Sequence, residues 1–199
     1  MFADSTMMEA VLYTVIIAVI ATVVATVVGT ITAIGLSKSR KVVQKMVERI
    51  NDLPVMNPDI VTAISLLMFF SVLTVKKGFG TLLIAHIMIC IPYVMLSVTP
   101  TLRSLGPNLL AAAMDLGATP FQALAKVIVP QIKPGIGSGA LIAFTMSFDD
   151  FVISYFTTGN GVNNISILVY TMSKRVNPSI TALSTIVILL IKLVLVVEN

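Results

Sequence analysis

From Ala10 to Ser37 the chain carries no charged side chain. A bilayer is crossed by about 20 consecutive apolar residues, so this stretch alone is ample for a membrane span. Its small residues fall into a pattern. Ala21, Ala25, Gly29 and Ala33 recur every fourth position, which lines one helical face with a seam on which a second helix can pack closely. Thr6 and Glu9 read as a T-x-x-E capping box at the start of that helix.

The rest of the chain agrees with a lipid solvent. Of its 199 residues 57% are hydrophobic and only 11% are charged, and the mean hydropathy is +1.01. Soluble domains carry roughly 25% charged residues, so there are too few charges here to coat a globule in water. The single cysteine, Cys90, excludes an internal disulfide and a cysteine zinc cluster. The single histidine, His86, argues against a histidine metal site. No basic residue precedes the first apolar run, and that run is too long for a signal peptide. The net charge of +4 reports topology before it reports a nucleic-acid partner.

Ser37 to Asp52 holds Lys38, Arg40, Lys41, Lys45 and Arg49, with Val42, Val43, Met46, Val47 and Ile50 on one helical face. It reads as a basic amphipathic helix lying on the cytoplasmic membrane surface. The first span then runs from outside to inside. A second span covers about Pro58 to Val75, with Asn57 as N-cap, Pro58 at the first helical position and Asp59 complementing the helix dipole. Asp59 is read as a cap, with a place on a transport path as the alternative. Lys76 to Gly80 makes an outer turn. The third span, about Thr81 to Val98, includes Pro92 as a kink, and His86 and Cys90 share a face in packing or a local hydrogen bond.

A fourth span runs from about Pro134 to Phe156 and contains Asp149 and Asp150. Thr157 to Pro178 is polar and external. Its apolar patch, Ile165 to Met172, either meets an outside partner or folds back on the bundle. Asn164-Ile165-Ser166 is a glycosylation triplet by pattern alone. The fifth span is about Ile180 to Val197, with Lys192 snorkelling inward. Charge supports this order. Arg103, Lys126 and Lys133 join the basic residues of Ser37 to Asp52 inside, against Lys76, Lys77, Lys174 and Arg175 outside. The carboxyl end is then cytoplasmic and the amino end external, and a further helix is expected to be missing ahead of the first span.

Between the third and fourth spans lies "LAAAMDLGATPFQALAKVIVP", Leu110 to Pro130. Asn108 to Leu116 makes one short helix, which Gly117 ends in the left-handed conformation. Thr119 caps a second, with Pro120 at its first position, Gln122 completing a T-x-x-Q box, and Pro130 terminating it. Leu109, Ala113 and Leu116 share one face; Phe121, Leu124 and Ile128 share the other. The element either moves as one rigid elbow or is an ordinary capped loop on the membrane.

The stretch "AAAMDLGATPFQALAKVIVP" resembles the EAA loop of ABC importer permeases: Ala112, Ala113, Gly117 and Pro130 match that pattern. In that family the short helix docks into a cleft of a cytosolic ATPase. The resemblance implies an ATPase-coupling role for Ala111, Ala112, Ala113, Asp115, Leu116 and Gly117. Ala111 stands where the motif has its glutamate, which removes a possible interfacial ion pair. "LPVMNPDIVTAISLLMFF", "SFDDFVISYFTTG" and "NPSITALSTI" are similar to spermidine/putrescine ABC importer permeases.

The family likeness implies an all-α, polytopic transmembrane helix bundle of about five spanning helices, lacking the usual first helix. Residues 1–199 would form a single permease domain with a cytoplasmic coupling loop at about 103–133, in the bacterial plasma membrane. Implied partners are a cytosolic ABC ATPase dimer, a second permease subunit, an extracytoplasmic solute-binding protein and membrane lipid. No cofactor, metal or nucleic acid is implied. Permeases for iron, thiamine or phosphonates share the loop and stay as alternatives.

An amine cation needs carboxylates or aromatic faces in exchange for its hydration. Asp149 and Asp150 lie roughly 22 Å along their helix, among Phe148, Phe151, Tyr155 and Phe156. One reading puts one aspartate on the substrate path, with Phe151 and Tyr155 adding cation–π attraction. The other has one aspartate capping a broken helix while its neighbour pairs with Lys174 or Arg175. Consecutive residues point about 100° apart on a helix, so both are not expected to face one pore. The chain lacks a G-x-x-x-x-G-K-[ST] phosphate loop, so ATP hydrolysis belongs elsewhere. A secondary transporter is the alternative of a different class, but no internal repeat exceeds a short ATVV echo. A membrane enzyme lacks a convincing Ser/His/Asp or metal cluster.

Overall fold

The uncharged amino-terminal run forms one unbroken helix, α1 (Ser5–Ser37), of 33 residues. At 1.5 Å per residue it is about 50 Å long, more than the roughly 30 Å of a hydrocarbon core. Thr6 and Glu9 lie in the first turns of this helix. The computed structural model describes residues 5–106, 108–159, 162, 164–172, 185–189 and 192.

Gln44 closes the far end of α1. Its amide lies within donating distance of the carbonyls of Leu36 at 3.0 Å, Ser37 at 3.3 Å and Ser39 at 3.0 Å, at and just past the end where helix carbonyls lose their partners. Gln44 belongs to α2 (Lys41–Met56), a helix with no buried residue. The apolar residues that the spacing puts on one face, Val42, Val43, Met46 and Ile50, are exposed. Glu48 pairs with Arg103 at one end of the bundle, while Asn51 Nδ2 donates to the Pro92 carbonyl at 3.3 Å, halfway along a long neighbouring helix. The helix continues through Pro54 to Met56.

A bend of 106° follows, leading to α3 (Asp59–Val72). Asn57 ends α2, its N–H bonded to the Leu53 carbonyl at 3.1 Å, and does not cap α3; Pro58 takes the cap position. A residue ahead of proline is driven out of the helical region, which makes Asn57 a stop. With 14 residues, α3 is about 21 Å long, too short to cross alone.

The long neighbour is α4 (Phe79–Ser104), which contains Pro92 and Pro100. It packs on both α1 and α8 (Lys133–Asp149), which also pack on each other. The small-residue seam does what its spacing predicts: Ala21, Ala25 and Ala33 are buried. The core joins Ala25 and Ala33 of α1 to Ala85, Cys90, Val94 and Val98 of α4 and Ala143 of α8. Gly135 lets α8 close on α4, since a Cβ there would meet Thr101 Oγ1 at 2.3 Å.

Between α4 and α8 come α5 (Leu109–Asp115), α6 (Pro120–Ala123), a π-helical turn (Leu124–Ile128) and α7 (Val129–Gln131). Pro130 does not terminate the second helix. The wider π turn just ahead of it makes room for the ring, and the helix runs on to Gln131 before a bend of 68° into α8.

The expected single span from Pro134 to Phe156 is broken. α8 stops at Asp149, Asp150 is extended, and α9 (Val152–Thr157) begins a residue later. α10 (Ile165–Met172) folds back on the start of α1: the Ile165 N–H donates to Thr14 Oγ1 at 2.8 Å, and Leu168 packs on Met7 and Ala10. α1 and α4 are each long and apolar enough to cross a membrane, and each bent pair can count as one more span. Lys174, Arg175 and most of Ile180 to Val197 lie outside the described residues; 185–189 are helical.

Candidate functional site: a broken span and an exposed elbow

The break at Asp150 has a local cause. Its Oδ1 accepts the Ile153 N–H at 3.2 Å and its Oδ2 accepts the Ser154 N–H at 2.7 Å. Those are orphan donors of the first turn of α9, and hydrocarbon offers no water to satisfy them. Asp150 therefore has the geometry of a helix cap. Its side chain is 7% exposed.

Four further polar groups converge behind the break. His86 of α4 is 1% exposed. Its Nδ1 shares a hydrogen bond with Ser147 Oγ of α8 at 2.7 Å, and its Nε2 shares one with Ser154 Oγ of α9 at 2.9 Å. Asp150 Oδ2 lies 3.6 Å from Nε2. Asn164 Nδ2 donates to the same Ser154 Oγ at 2.7 Å, while its Oδ1 accepts the Ile167 N–H at 2.9 Å. Asn164 is buried, so the glycosylation triplet presents no accessible acceptor. Cys90, one turn along α4, donates from Sγ to the Ala143 carbonyl at 3.3 Å. His86 and Cys90 are both buried in packing, as their shared face suggests, but their hydrogen bonds reach across to other helices and are not local. Ser147, Ser154 and Asn164 carried no signal of their own in the sequence.

In front of the break is a cavity of about 260 Å³. Asp59, Asp149 and Asp150 line it, with Thr62, Tyr93, Thr145 and Phe151. Both consecutive aspartates reach one cavity, against the helical expectation, because the helix ends between them and the 100° offset no longer applies. Asp59 sits in the first turn of α3 and on this cavity at once. Tyr155 does not line it. It is half exposed in a ring group with Phe151, at 5.6 Å between centroids, and Tyr170, at 5.9 Å. Among the described residues no group of His, Cys, Asp or Glu is arranged to hold a metal ion.

The elbow stands apart at the opposite end of α8. Gly117 has φ +89°, the left-handed conformation that ends α5. The Ala118 N–H reaches the Ala113 carbonyl at 3.2 Å and the Gly117 N–H reaches Met114 at 2.9 Å, a paired closure of the helix end. Thr119 Oγ1 accepts the Gln122 N–H at 3.3 Å, and Gln122 Oε1 accepts the Thr119 N–H at 3.1 Å. Ala111, Ala112, Asp115 and Gly117 are exposed and Ala113 is half-buried. Leu116 is 90% exposed and Phe121 77%, while Ile128 is buried. The two apolar faces read from spacing therefore do not bury together: Leu116 follows the last turn of α5, and Phe121 precedes the packed part of its helix.

Residues 25–198 match the family described as binding-protein-dependent transport system inner membrane component. The chain belongs to this family. It is 38% identical over 169 residues to the spermidine/putrescine transport system permease protein PotC of Escherichia coli K12, covering 84% of this chain and 64% of that protein. It thus spans under two thirds of that relative's length. PotC of Haemophilus influenzae is 38% identical over 191 residues, 96% of this chain and 74% of that protein. The putrescine transport system permease protein PotI of E. coli K12 is 39% identical over 142 residues, 68% of this chain and 50% of that protein. Among solved structures, an inward-facing form of the MetNI methionine ABC transporter superposes with a TM-score of 0.74 at 19% identity, covering 96% of this chain and 91% of that one. That likeness identifies the fold as an all-α, multi-pass bundle of the ABC permease type.

Proposed function

We propose that the chain is the membrane-spanning permease subunit of an ATP-driven importer that moves polyamines such as spermidine and putrescine into the cell. The observation that carries this reading is the exposed, doubly capped elbow at one end of a bundle similar over most of its length to spermidine/putrescine permeases. Two helices whose facing ends are both satisfied move as one body. The apolar corner of Leu116 and Phe121 calls for a partner surface. That partner is a cytosolic ABC ATPase dimer, which hydrolyses ATP and drives the elbow. With Ala111 in the glutamate position, docking rests on shape and apolar contact along Ala111, Ala112, Ala113, Leu116 and Gly117, with Asp115 as the remaining carboxylate.

The substrate path runs by the acidic cavity. Carboxylates within a membrane face a cavity or a partner, and among the described residues no Lys or Arg lines this one. Asp149 and Asp59 offer charge to an ammonium group there, Asp150 shapes the break, and the Tyr93 and Phe151 rings add cation–π attraction. Tyr155 continues the aromatic surface beside it. An acidic cavity suits a polyamine better than a phosphonate. The chain works as one transmembrane domain of about five spans with its carboxyl end cytoplasmic and 103–133 as the coupling loop. A second permease subunit and an extracytoplasmic solute-binding protein complete the transporter.

Proteoliposomes holding the complete transporter test this. ATP-dependent accumulation of labelled spermidine, competed by putrescine, is the expected result. ATP-dependent uptake of thiamine or iron with none of spermidine would replace the polyamine reading.

A further inference from the structure

His86 does not line the cavity, yet it bonds to both helices that meet there. We propose that His86 is the positioning residue of the substrate path: its imidazole clamps the two halves of the broken span, and so sets how Asp149 and Asp150 are presented. This rests on the permease reading above.

The geometry is specific. α4 is continuous past the break, so it is the fixed rail. One ring on that rail reaches the last turn of α8 through Nδ1 and Ser147, and α9 through Nε2 and Ser154. An imidazole is a rigid plate with a nitrogen on each edge, so it fixes the two hydroxyls at a set separation. Ser154 is the node. Its hydroxyl also meets Asn164, and its backbone N–H is the one that Asp150 accepts at 2.7 Å. Moving Ser154 therefore moves the Asp150 cap. The ring also lies against Asp150 itself, at 3.6 Å from Oδ2.

Burial argues against a nucleophile relay. Ser147 and Asp150 lie at opposite ring nitrogens, but Asp150 Oδ2 stands 3.6 Å from Nε2, beyond a hydrogen bond, and the Ser147 and Ser154 hydroxyls are both shut away from a substrate. What the arrangement does is hold a bend. Were α8 and α9 to join into one helix, Asp149 and Asp150 would point about 100° apart and one would leave the cavity. With the clamp in place Asp150 stays on the break and Asp149 stays on the same 260 Å³ as Asp59, two carboxylates for a cation with more than one ammonium group.

Two measurements on the assembled transporter test this, with His86→Ala, His86→Gln and Ser154→Ala. Losing a buried hydrogen-bond partner is expected to raise the KM for spermidine about tenfold in His86→Ala with Vmax little changed. In His86→Gln the side-chain amide still reaches Ser154 and recovers most of the affinity. In parallel, nitroxides at Leu141→Cys and Tyr155→Cys, in a Cys90→Ser background, report the distance across the break. His86→Ala and Ser154→Ala are expected to shift or broaden that distance, and His86→Gln to keep it. Should His86→Ala fail to assemble, Ser154→Ala decides. An unmoved distance, or a moved distance with an unchanged KM, overturns the proposal. If the unaltered transporter moves no spermidine, the polyamine reading fails instead, and the distance still decides whether His86 sets the break.

Discussion

Gly29 of α1 lies so close to Val94 of α4 that a Cβ on the glycine would stand 2.9 Å from the valine Cβ. Neither atom is the free end of a flexible chain, so nothing nearby can give way cheaply. Gly29→Ala is expected to push α1 off α4 and cost about 1–3 kcal/mol. Gly35→Ala, at a position with open space around it, is the control. Thermal unfolding of the purified protein reads the difference: a lower midpoint for the first only.

Gly117 is strained territory for any other residue. With φ at +89°, Gly117→Val is expected to cost about 1–3 kcal/mol locally. The elbow is exposed and remote from the core, so bundle stability should hold while substrate-stimulated ATP hydrolysis falls. Gly117→Asn, which tolerates the left-handed region, should lose less. Equal loss in both variants would count against a conformational cause.

The two neighbouring aspartates should separate in function. Asp150 caps α9, so Asp150→Ala is expected to lower stability by about 0.5–2 kcal/mol. Asp149 is exposed on the cavity, so Asp149→Ala should leave the unfolding midpoint alone and raise the KM for spermidine. The reverse pattern would exchange their roles.

Three buried hydroxyls, Thr22, Thr26 and Thr30, have no hydrogen-bond partner among the described residues. Removing a group that gains nothing from burial should do no harm. Thr26→Val is expected to match or exceed the parent in thermal stability; a fall of several degrees would reveal a partner for that hydroxyl.

These contrasts track what a linear sequence can carry. The seam on α1, the Gly117 stop and the Thr119–Gln122 box were legible because their partners lie within a few residues or repeat every fourth position. Asn57 and Pro130 misled because each satisfies two neighbouring helices' rules at once, and tertiary packing chose between them. The break at Asp150 was open in the sequence as one of two readings of the aspartate pair, because the hydropathy of the run from Pro134 to Phe156 is the same bent or straight. The His86 cluster was out of reach altogether. Its serines stand 61 and 68 residues away, and only the fold brings them to the ring.

The central claim is that the elbow meets an ATP-hydrolysing partner. A Leu116→Cys variant in the assembled transporter, in a Cys90→Ser background, tests it most directly through site-specific cross-linking and sided labelling of intact and inverted vesicles. The predicted result is a cross-link to the ATPase that changes with bound nucleotide, and labelling from the cytoplasmic face alone. Labelling from the exterior, or an ATPase present and active yet never cross-linked at this position, would contradict it.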